Sequence, residues 1–140
     1  AHIVVLDVYA PYGAGTAQQS WLIQDLTSTN QFWKIVCMQT GPYSSNAGTA
    51  GNASANVNIR KALVPIFQQY NVDIVFAGDQ HIYERSVPWA KTSDPNDIGE
   101  ATTVEQGGIV YIITGGGGAG LGDVQTGSGR GAWSVFVSAS

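Results

Sequence analysis

The sequence has 140 residues, of which 44% are hydrophobic and 11% are charged. This length suits one ordinary domain, and the apolar fraction is sufficient for a buried core, so disorder along the whole chain is excluded. Six basic residues against ten acidic ones give a formal net charge of -4, which argues against a nucleic-acid or anionic-membrane partner.

Strands and helices are predicted to alternate along the chain. Apolar and β-branched runs predict strands, and apolar residues at helical spacing predict helices. In chain order, the pattern predicts a strand over 3–6, a helix from Thr16 to about 28–30, a strand over 33–38, a helix over about 55–70, and strands over 72–77, 108–114 and 132–140. This order favours an α/β fold of βαβ units whose helices cover a sheet.

The two helices carry local signals of their own. Thr16 is predicted to cap the first helix, and Trp21, Leu22 and Leu26 are expected to share its apolar face. Pro65 lies inside the second helix, where a proline cannot donate the backbone hydrogen bond to the carbonyl four residues earlier. We therefore expect a kink or a late helix start at Pro65.

Two further stretches are predicted to be irregular. Residues 41–54 are rich in Gly, Ser, Asn and Ala, and loops of that length usually have a task. They include the glycosylation sequon Asn52-Ala53-Ser54, which matters only in a secreted eukaryotic protein. The second stretch lies between the strands over 72–77 and 108–114 and contains Pro88, Pro95 and Gly99.

The composition also indicates where in relation to the cell the protein is located. The chain has 18 glycines, many small polar residues and few Lys or Glu, which favours a secreted or cell-surface protein. Its single cysteine, Cys37, supports no disulfide framework and is expected to pack as a small apolar residue. The longest apolar run, 109–113, is far shorter than the ~18 residues of a membrane span. We expect no membrane partner.

The residues most suggestive of chemistry follow the third predicted strand. Asp79 and His81 are two residues apart in the segment 78–86, so one tight turn can direct both side chains at one point. Ligands in open α/β sheets bind outside the carboxyl ends of the strands, and a carboxylate with an imidazole suits a first-row metal ion. The alternative interpretation is a solvated turn that happens to contain one histidine.

A glycine-rich segment follows the strand over 108–114. Gly115, Gly117 and Gly120 formally fit a dinucleotide-binding fingerprint, which requires a helix directly afterwards. Residues 122–131 cannot open a helix. The pattern therefore favours a tight glycine loop that permits close backbone approach.

The segment 78–86 resembles the last metal-binding motif of the calcineurin-like metallophosphoesterases, most closely the purple acid phosphatases, where Gly-His-x-His is followed by Tyr-Glu-Arg. Three other segments agree in order. Residues 33–46 are similar to the strand ending in His-x-Pro-x-Tyr, 21–26 resembles the helix before it, and 110–115 resembles the strand and glycine loop after the motif. The resemblance covers almost the whole chain.

The resemblance implies part of an αββα metallophosphoesterase sandwich, with residues 1–140 as the C-terminal half of the catalytic domain. It implies hydrolysis of a phosphomonoester by water activated between two metal ions, Fe, Zn or Mn. His81 matches a family metal ligand, and Asp79 stands where the family has another histidine. Gln39 stands at a third ligand position, where its neutral amide is a poor ligand.

Four more residues are expected beside the ligands or on the substrate side: Tyr43, Tyr83, Glu84 and Arg85. For Glu84 and Arg85 an ordinary structural ion pair is the equal alternative. No catalytic acid or base is assigned, because the loop 44–54 contains no histidine.

Two functions remain open at this point. The earlier family motifs are absent, and strands such as 3–6 and 109–113 are apolar on both faces, so we expect a preceding segment of the same domain to complete a phosphatase that acts on phosphate esters. The alternative is a non-catalytic structural or binding module that keeps the fold, has degraded ligands and binds no metal.

Overall fold

The computed structural model describes residues 1–46, 53–92, 94, 96–125 and 130–139. Residues 47–52 of the predicted loop over 41–54, including the sequon residue Asn52, lie outside the described residues. No helix within the described part of the chain is long and apolar enough to cross a membrane.

The elements follow the predicted order with three additional short strands. They are β1 (His2–Leu6), α1 (Ala17–Ser28), β2 (Lys34–Met38), α2 (Ala53–Ala62), α3 (Val64–Gln69), β3 (Ile74–Ala77), β4 (Tyr83–Ser86), β5 (Trp89–Ala90), β6 (Glu100–Ala101), a 3-10 turn (Val104–Gln106), β7 (Val110–Thr114) and β8 (Ser134–Ser138). The α/β class is confirmed.

A six-stranded sheet in the order β1-β2-β3-β7-β4-β8 organises the molecule. The first four strands in this order run parallel, so their carboxyl ends meet at one edge. The strand β4 inserts between β7 and β8 and pairs antiparallel with both. The sheet is therefore mixed, with a parallel half where the βαβ pattern was predicted.

Helix α1 begins where its cap was predicted. The Thr16 hydroxyl accepts a hydrogen bond from the backbone N–H of Gln19, which satisfies one of the unpaired donors of the first turn. Leu22 and Leu26 are fully buried, as expected for its apolar face. Trp21 was wrongly assigned to that face: it is 46% exposed, because it lies about 100° around the helix from Leu22.

The second predicted helix is two helices. It breaks at Leu63, and Pro65 occupies the first turn of α3, where its missing N–H costs nothing. Three α3 side chains, Val64, Ile66 and Phe67, are buried. The expectation of a late helix start at the proline is confirmed.

The stretch between β3 and β7 is more regular than predicted. It contains β4, β5 and β6, of which β5 and β6 form a separate two-stranded sheet. The prediction of an irregular stretch over these residues was wrong because β4 is only four residues long and largely polar. Its pairing partners, β7 and β8, lie more than 20 residues away in the sequence.

The two faces of the sheet differ sharply. Alternate strand residues such as Val4, Val36 and Val75 form one core with buried residues of all three helices, including Leu22 and Phe67. The residues between them point to the opposite face, hereafter the open face. Its members include Ile3, Val5, Ile35, Cys37, Ile74, Phe76 and Ile112, and all are exposed or only half-buried.

Candidate functional site

The three candidate ligands lie at the carboxyl edge of the parallel strands, as predicted. Gln39 directly follows β2, while Asp79 and His81 follow β3, its neighbour in the sheet. The backbone N–H of Gly78 donates to the carbonyl oxygen of Gln39 at 2.8 Å, which holds the two strand ends together. The fold thus brings the candidate positions into one region.

Asp79 adopts an uncommon backbone conformation. Its φ is +61°, in the left-handed region that Asp tolerates better than most residues. Its carboxylate oxygen Oδ2 accepts a hydrogen bond from the Gln80 amide at 2.8 Å and lies 3.4 Å from the Thr40 hydroxyl. The turn therefore orients this carboxylate with neutral donors.

His81 is exposed and fixed at two points. Its ring Nδ1 lies 2.8 Å from the carbonyl oxygen of Gly120, and the N–H of Gly122 donates to its own carbonyl at 2.9 Å. Because a carbonyl only accepts, Nδ1 is the donor in this contact, and Nε2 is the ring nitrogen left to bind a metal. Metal-binding histidines are commonly oriented in this way, by donating the other ring N–H to a carbonyl.

These residues fit part of a metal site. His81 offers a well-oriented imidazole nitrogen and Asp79 a carboxylate, whereas the Gln39 amide is a weak donor for transition metals. Among the residues that the structure describes, no group of three or more His, Cys, Asp and Glu is placed to hold a metal ion.

Glu84 lies at the centre of a buried hydrogen-bond network that the sequence did not reveal. Its carboxylate, in a residue only 2% exposed, accepts from the Ser45 N–H at 2.7 Å and from the Ser45 hydroxyl at 2.6 Å. The same hydroxyl accepts from Gly131 N–H at 2.9 Å, and the Ser45 carbonyl accepts from Gln125 N–H at 2.8 Å. We call Ser45 and Glu84, with these bonds, the Ser45 hub.

The Ser45 hub joins three segments: the loop after β2, strand β4 and the chain leading to β8. The interpretation of Glu84 and Arg85 as an ion pair was wrong, because successive strand residues point to opposite faces: Glu84 is buried, whereas Arg85 is exposed on the open face. Nothing local in the sequence marks the pairing of Ser45 with a residue 39 positions away.

Tyr43 lies in the core. Its ring packs against Trp133 and Tyr111, with centroid separations of 5.2 and 4.6 Å, and the Arg60 guanidinium lies 5.1 Å from its centroid. Burial raises the pKa of the Tyr43 hydroxyl well above its ordinary value, against the opposing effect of Arg60. Arg60 also donates to the Pro42 carbonyl at 3.0 Å, so helix α2 anchors this loop.

The glycine-rich segment after β7 forms a tight loop. This is the interpretation that the sequence favoured over a dinucleotide-binding fingerprint. Its described residues contain no helix after the glycines. A Cβ added at Gly115 would overlap the carbonyl oxygen of Gln80, so this position requires close backbone approach. The loop then reaches Gly120 and Gly122, the two residues that hydrogen-bond His81.

The chain's other histidine, His2, pairs with a carboxylate away from the candidate ligands. Its Nε2 lies 2.6 Å from the Asp25 carboxylate of α1. It begins β1 and therefore lies at the amino end of the parallel strands, opposite the candidate ligands.

Comparisons with known proteins identify what the chain resembles. No family model matches it. The phosphoenolpyruvate phosphatase of Allium cepa is 40% identical over 89 residues, which are 61% of this chain and 18% of that protein. The chain thus spans about a fifth of that relative's length.

Two solved structures share the fold. The purple acid phosphatase PPD1 from Lupinus luteus seeds superposes with a TM-score of 0.82 and 25% identity, over 98% of this chain and 24% of that one. GAP50, described as the anchor in the inner membrane complex of Plasmodium, superposes with a TM-score of 0.67 and 15% identity, over 98% of this chain and 38% of that one. The resemblance to a purple-acid-phosphatase-like metallophosphoesterase is confirmed.

Proposed function

We propose that this purple-acid-phosphatase-like chain forms the C-terminal half of the catalytic domain of a metal-dependent phosphomonoesterase. The observation that carries the proposal is His81, an exposed imidazole at the carboxyl edge of the sheet whose Nδ1 is committed to Gly120 and whose Nε2 is left to bind a metal. The similarity to a plant phosphatase at 40% identity supports the same activity.

Within this proposal, the candidate site residues have different roles. His81 and Asp79 hold metal, and Gln39 occupies a weakened third position. Two bound ions of Fe, Zn or Mn would supply Lewis acidity and a water of lowered pKa. The Ser45 hub fixes the loops around the ligands and Tyr43 supports them from the core, whereas Tyr83 and Arg85 point to the open face.

We further propose that the open face packs against another segment of the same protein. Ile3 and Val5 are 62% and 70% exposed, and such contiguous apolar surface is unusual on a protein that has no partner there. A second layer on this face would supply the metal donors that the described residues lack. It would also account for the length of the plant relative, of which this chain matches 18%.

The test uses the complete protein that contains this chain. Metal content and hydrolysis of 4-nitrophenyl phosphate are measured for the wild type, for His81→Ala and for the matched control His2→Ala, which lies at the opposite edge. We expect His81→Ala to lose more than about 100-fold in activity, beyond the 10–100-fold typical of residues that only orient ligands. Full activity of His81→Ala would refute the role of His81.

A non-catalytic module is the second candidate. It is favoured by Gln39 and Asp79 standing where the resembled family has histidines, and by the occurrence of this fold in a protein described as an anchor. In that case the complete protein binds no metal, turns over no phosphate ester, and still unfolds cooperatively as a monomer. Stoichiometric metal with turnover would exclude it.

The composition supports a secreted or cell-surface location for the protein. Detection in the medium or on intact cells tests this proposal. Confinement to the cytosol would contradict it.

A further inference from the structure

Gln80 is a buried amide next to the candidate ligands and has no role in the proposal so far. The residue is only 2% exposed. The alternation of β4 extends back to it, so that Gln80 and Ile82 are buried while His81 between them is exposed. The amide of Gln80 therefore lies on the core side of the turn that carries Asp79 and His81.

The hydrogen-bonding capacity of this amide is only half used. Its nitrogen Nε2 donates to the Asp79 oxygen Oδ2 at 2.8 Å, whereas its oxygen Oε1 has no hydrogen-bond partner within the part of the chain that the structure describes. A buried acceptor without a partner destabilises a protein, and an apolar side chain of similar size would avoid this cost. The bond to Asp79 is what Gln80 supplies and an apolar residue could not.

The backbone of Gln80 is fixed on both sides. Its N–H donates to the Gly78 carbonyl at 2.6 Å, and its carbonyl accepts from the Ile82 N–H at 2.8 Å. Gly115 packs so closely against the same carbonyl that a Cβ at Gly115 would overlap it. A donor whose backbone is held in this way sets the rotation of the Asp79 carboxylate rather than following it.

We propose that Gln80 is a positioning residue that holds the Asp79 carboxylate in the orientation in which it binds metal. The inference rests on the proposed function, because it assigns Gln80 an effect on metal binding. Groups that hydrogen-bond to metal-binding carboxylates commonly contribute about 10–100-fold to metal affinity. Gln80 acts through Asp79 and contacts neither metal nor substrate.

The experiment measures the Zn²⁺ dissociation constant of the complete protein by isothermal titration calorimetry, after resident metal is removed with a chelator. Gln80→Met replaces the amide by an apolar side chain of similar size. We expect it to weaken Zn²⁺ binding about 10–100-fold. Its thermal unfolding midpoint without metal should stay within about 3 °C of the wild type, because the lost bond to Asp79 is offset by removal of the unpaired Oε1.

Gln68→Met is the matched control. Gln68 is also a partly buried glutamine, and its amide donates to the Lys91 carbonyl at 3.2 Å. Helix α3 ends shortly before β3 begins, so Gln68 lies toward the amino ends of the parallel strands, opposite Asp79. Gln68→Met should leave the Zn²⁺ dissociation constant unchanged.

A double-mutant cycle distinguishes positioning of Asp79 from a general disturbance of the turn. Asp79→Ala should weaken Zn²⁺ binding at least as much as Gln80→Met does. The variant that carries both changes should bind no more weakly than Asp79→Ala alone, because Gln80 then has no carboxylate to position. Additive losses, or an unchanged dissociation constant in Gln80→Met, would overturn the proposal.

A crystal structure of the wild type with Zn²⁺ bound needs no variant, and it decides the question if Gln80→Met fails to fold. Asp79 should bind the metal while its Oδ2 stays within about 3.2 Å of Gln80 Nε2. A carboxylate turned away from Gln80 would overturn this inference and leave the proposed phosphatase function in place. A wild type that binds no Zn²⁺ and contains no other metal ion would refute the proposed function, and this inference with it.

Discussion

Replacing Ser45 by alanine should destabilise the protein far more than its small volume change suggests. The Ser45 hydroxyl donates to the Glu84 carboxylate at 2.6 Å and accepts from the Gly131 N–H at 2.9 Å. Hydrogen bonds to charged groups contribute about 1.5–3 kcal/mol, and an orphaned backbone N–H costs about 1 kcal/mol more. The variant Ser45→Ala should therefore lose about 2.5–4 kcal/mol of unfolding free energy.

Urea unfolding followed by tryptophan fluorescence measures this loss, because Trp89 and Trp133 are buried in the core. The matched control is Ser28→Ala, whose hydroxyl donates to the Asp25 carbonyl at an exposed helix end. It should change the unfolding free energy by less than about 0.5 kcal/mol. If Ser45→Ala lost no more than Ser28→Ala, the assignment of the Ser45 hub as a stabilising network would be refuted.

Three further predictions concern other groups. Backbone hydrogen bonds, first from Thr92, lower the pKa of Asp97 from 3.8 to about 2, so its carboxyl signal in an NMR titration should have a midpoint near 2. The stabilisation from this carboxylate is present above pH 3.8 and is lost as the pH falls toward 2. Burial raises the pKa of both Tyr43 and Tyr111, so absorbance at alkaline pH should show these two phenols ionising only as the protein unfolds. Their contribution to stability is present below pH 10 and is lost as the pH rises beyond it. Finally, Leu22→Ala, at a fully buried position, should cost about 2–5 kcal/mol in urea unfolding.

Each of these three outcomes has a clear contrary result. A carboxyl midpoint near 3.8 for Asp97 would contradict its hydrogen bonding. Ionisation of all six tyrosines in the folded protein near pH 10 would contradict the burial of two of them. A loss below about 1 kcal/mol for Leu22→Ala, or an equal loss for the exposed Leu121→Ala, would contradict the position of α1 over the core.

The parallel half of the fold could be predicted from the sequence because its signals are local. Thr16 marks the start of α1, Pro65 marks the break between α2 and α3, and apolar runs mark β1, β2, β3 and β7. The antiparallel half of the fold could not be predicted in this way. Strand β4 has four residues, of which Glu84 is a charged residue facing the core, so it matches no simple apolar alternation.

The candidate site, too, could be predicted from the sequence only in part. Asp79 and His81 could be placed at a strand end because they directly follow an apolar run. Their ligand roles, and that of Gln39, stay predictions. The hydrogen bond from His81 to Gly120 and those of the Ser45 hub join residues that are distant in sequence, and no spacing rule connects such pairs.

The Ser45 hub also has a consequence for the order of folding. Two of its bonds join Ser45 to Gln125 and Gly131, 80 and 86 residues further along the chain, whereas paired residues of the parallel strands are at most 39 residues apart. Closing such long loops costs conformational entropy before any contact repays it, so distant contacts of this kind form late. We expect the parallel sheet and α1 to assemble first and the loops around His81 to become ordered last, in the slowest phase of refolding.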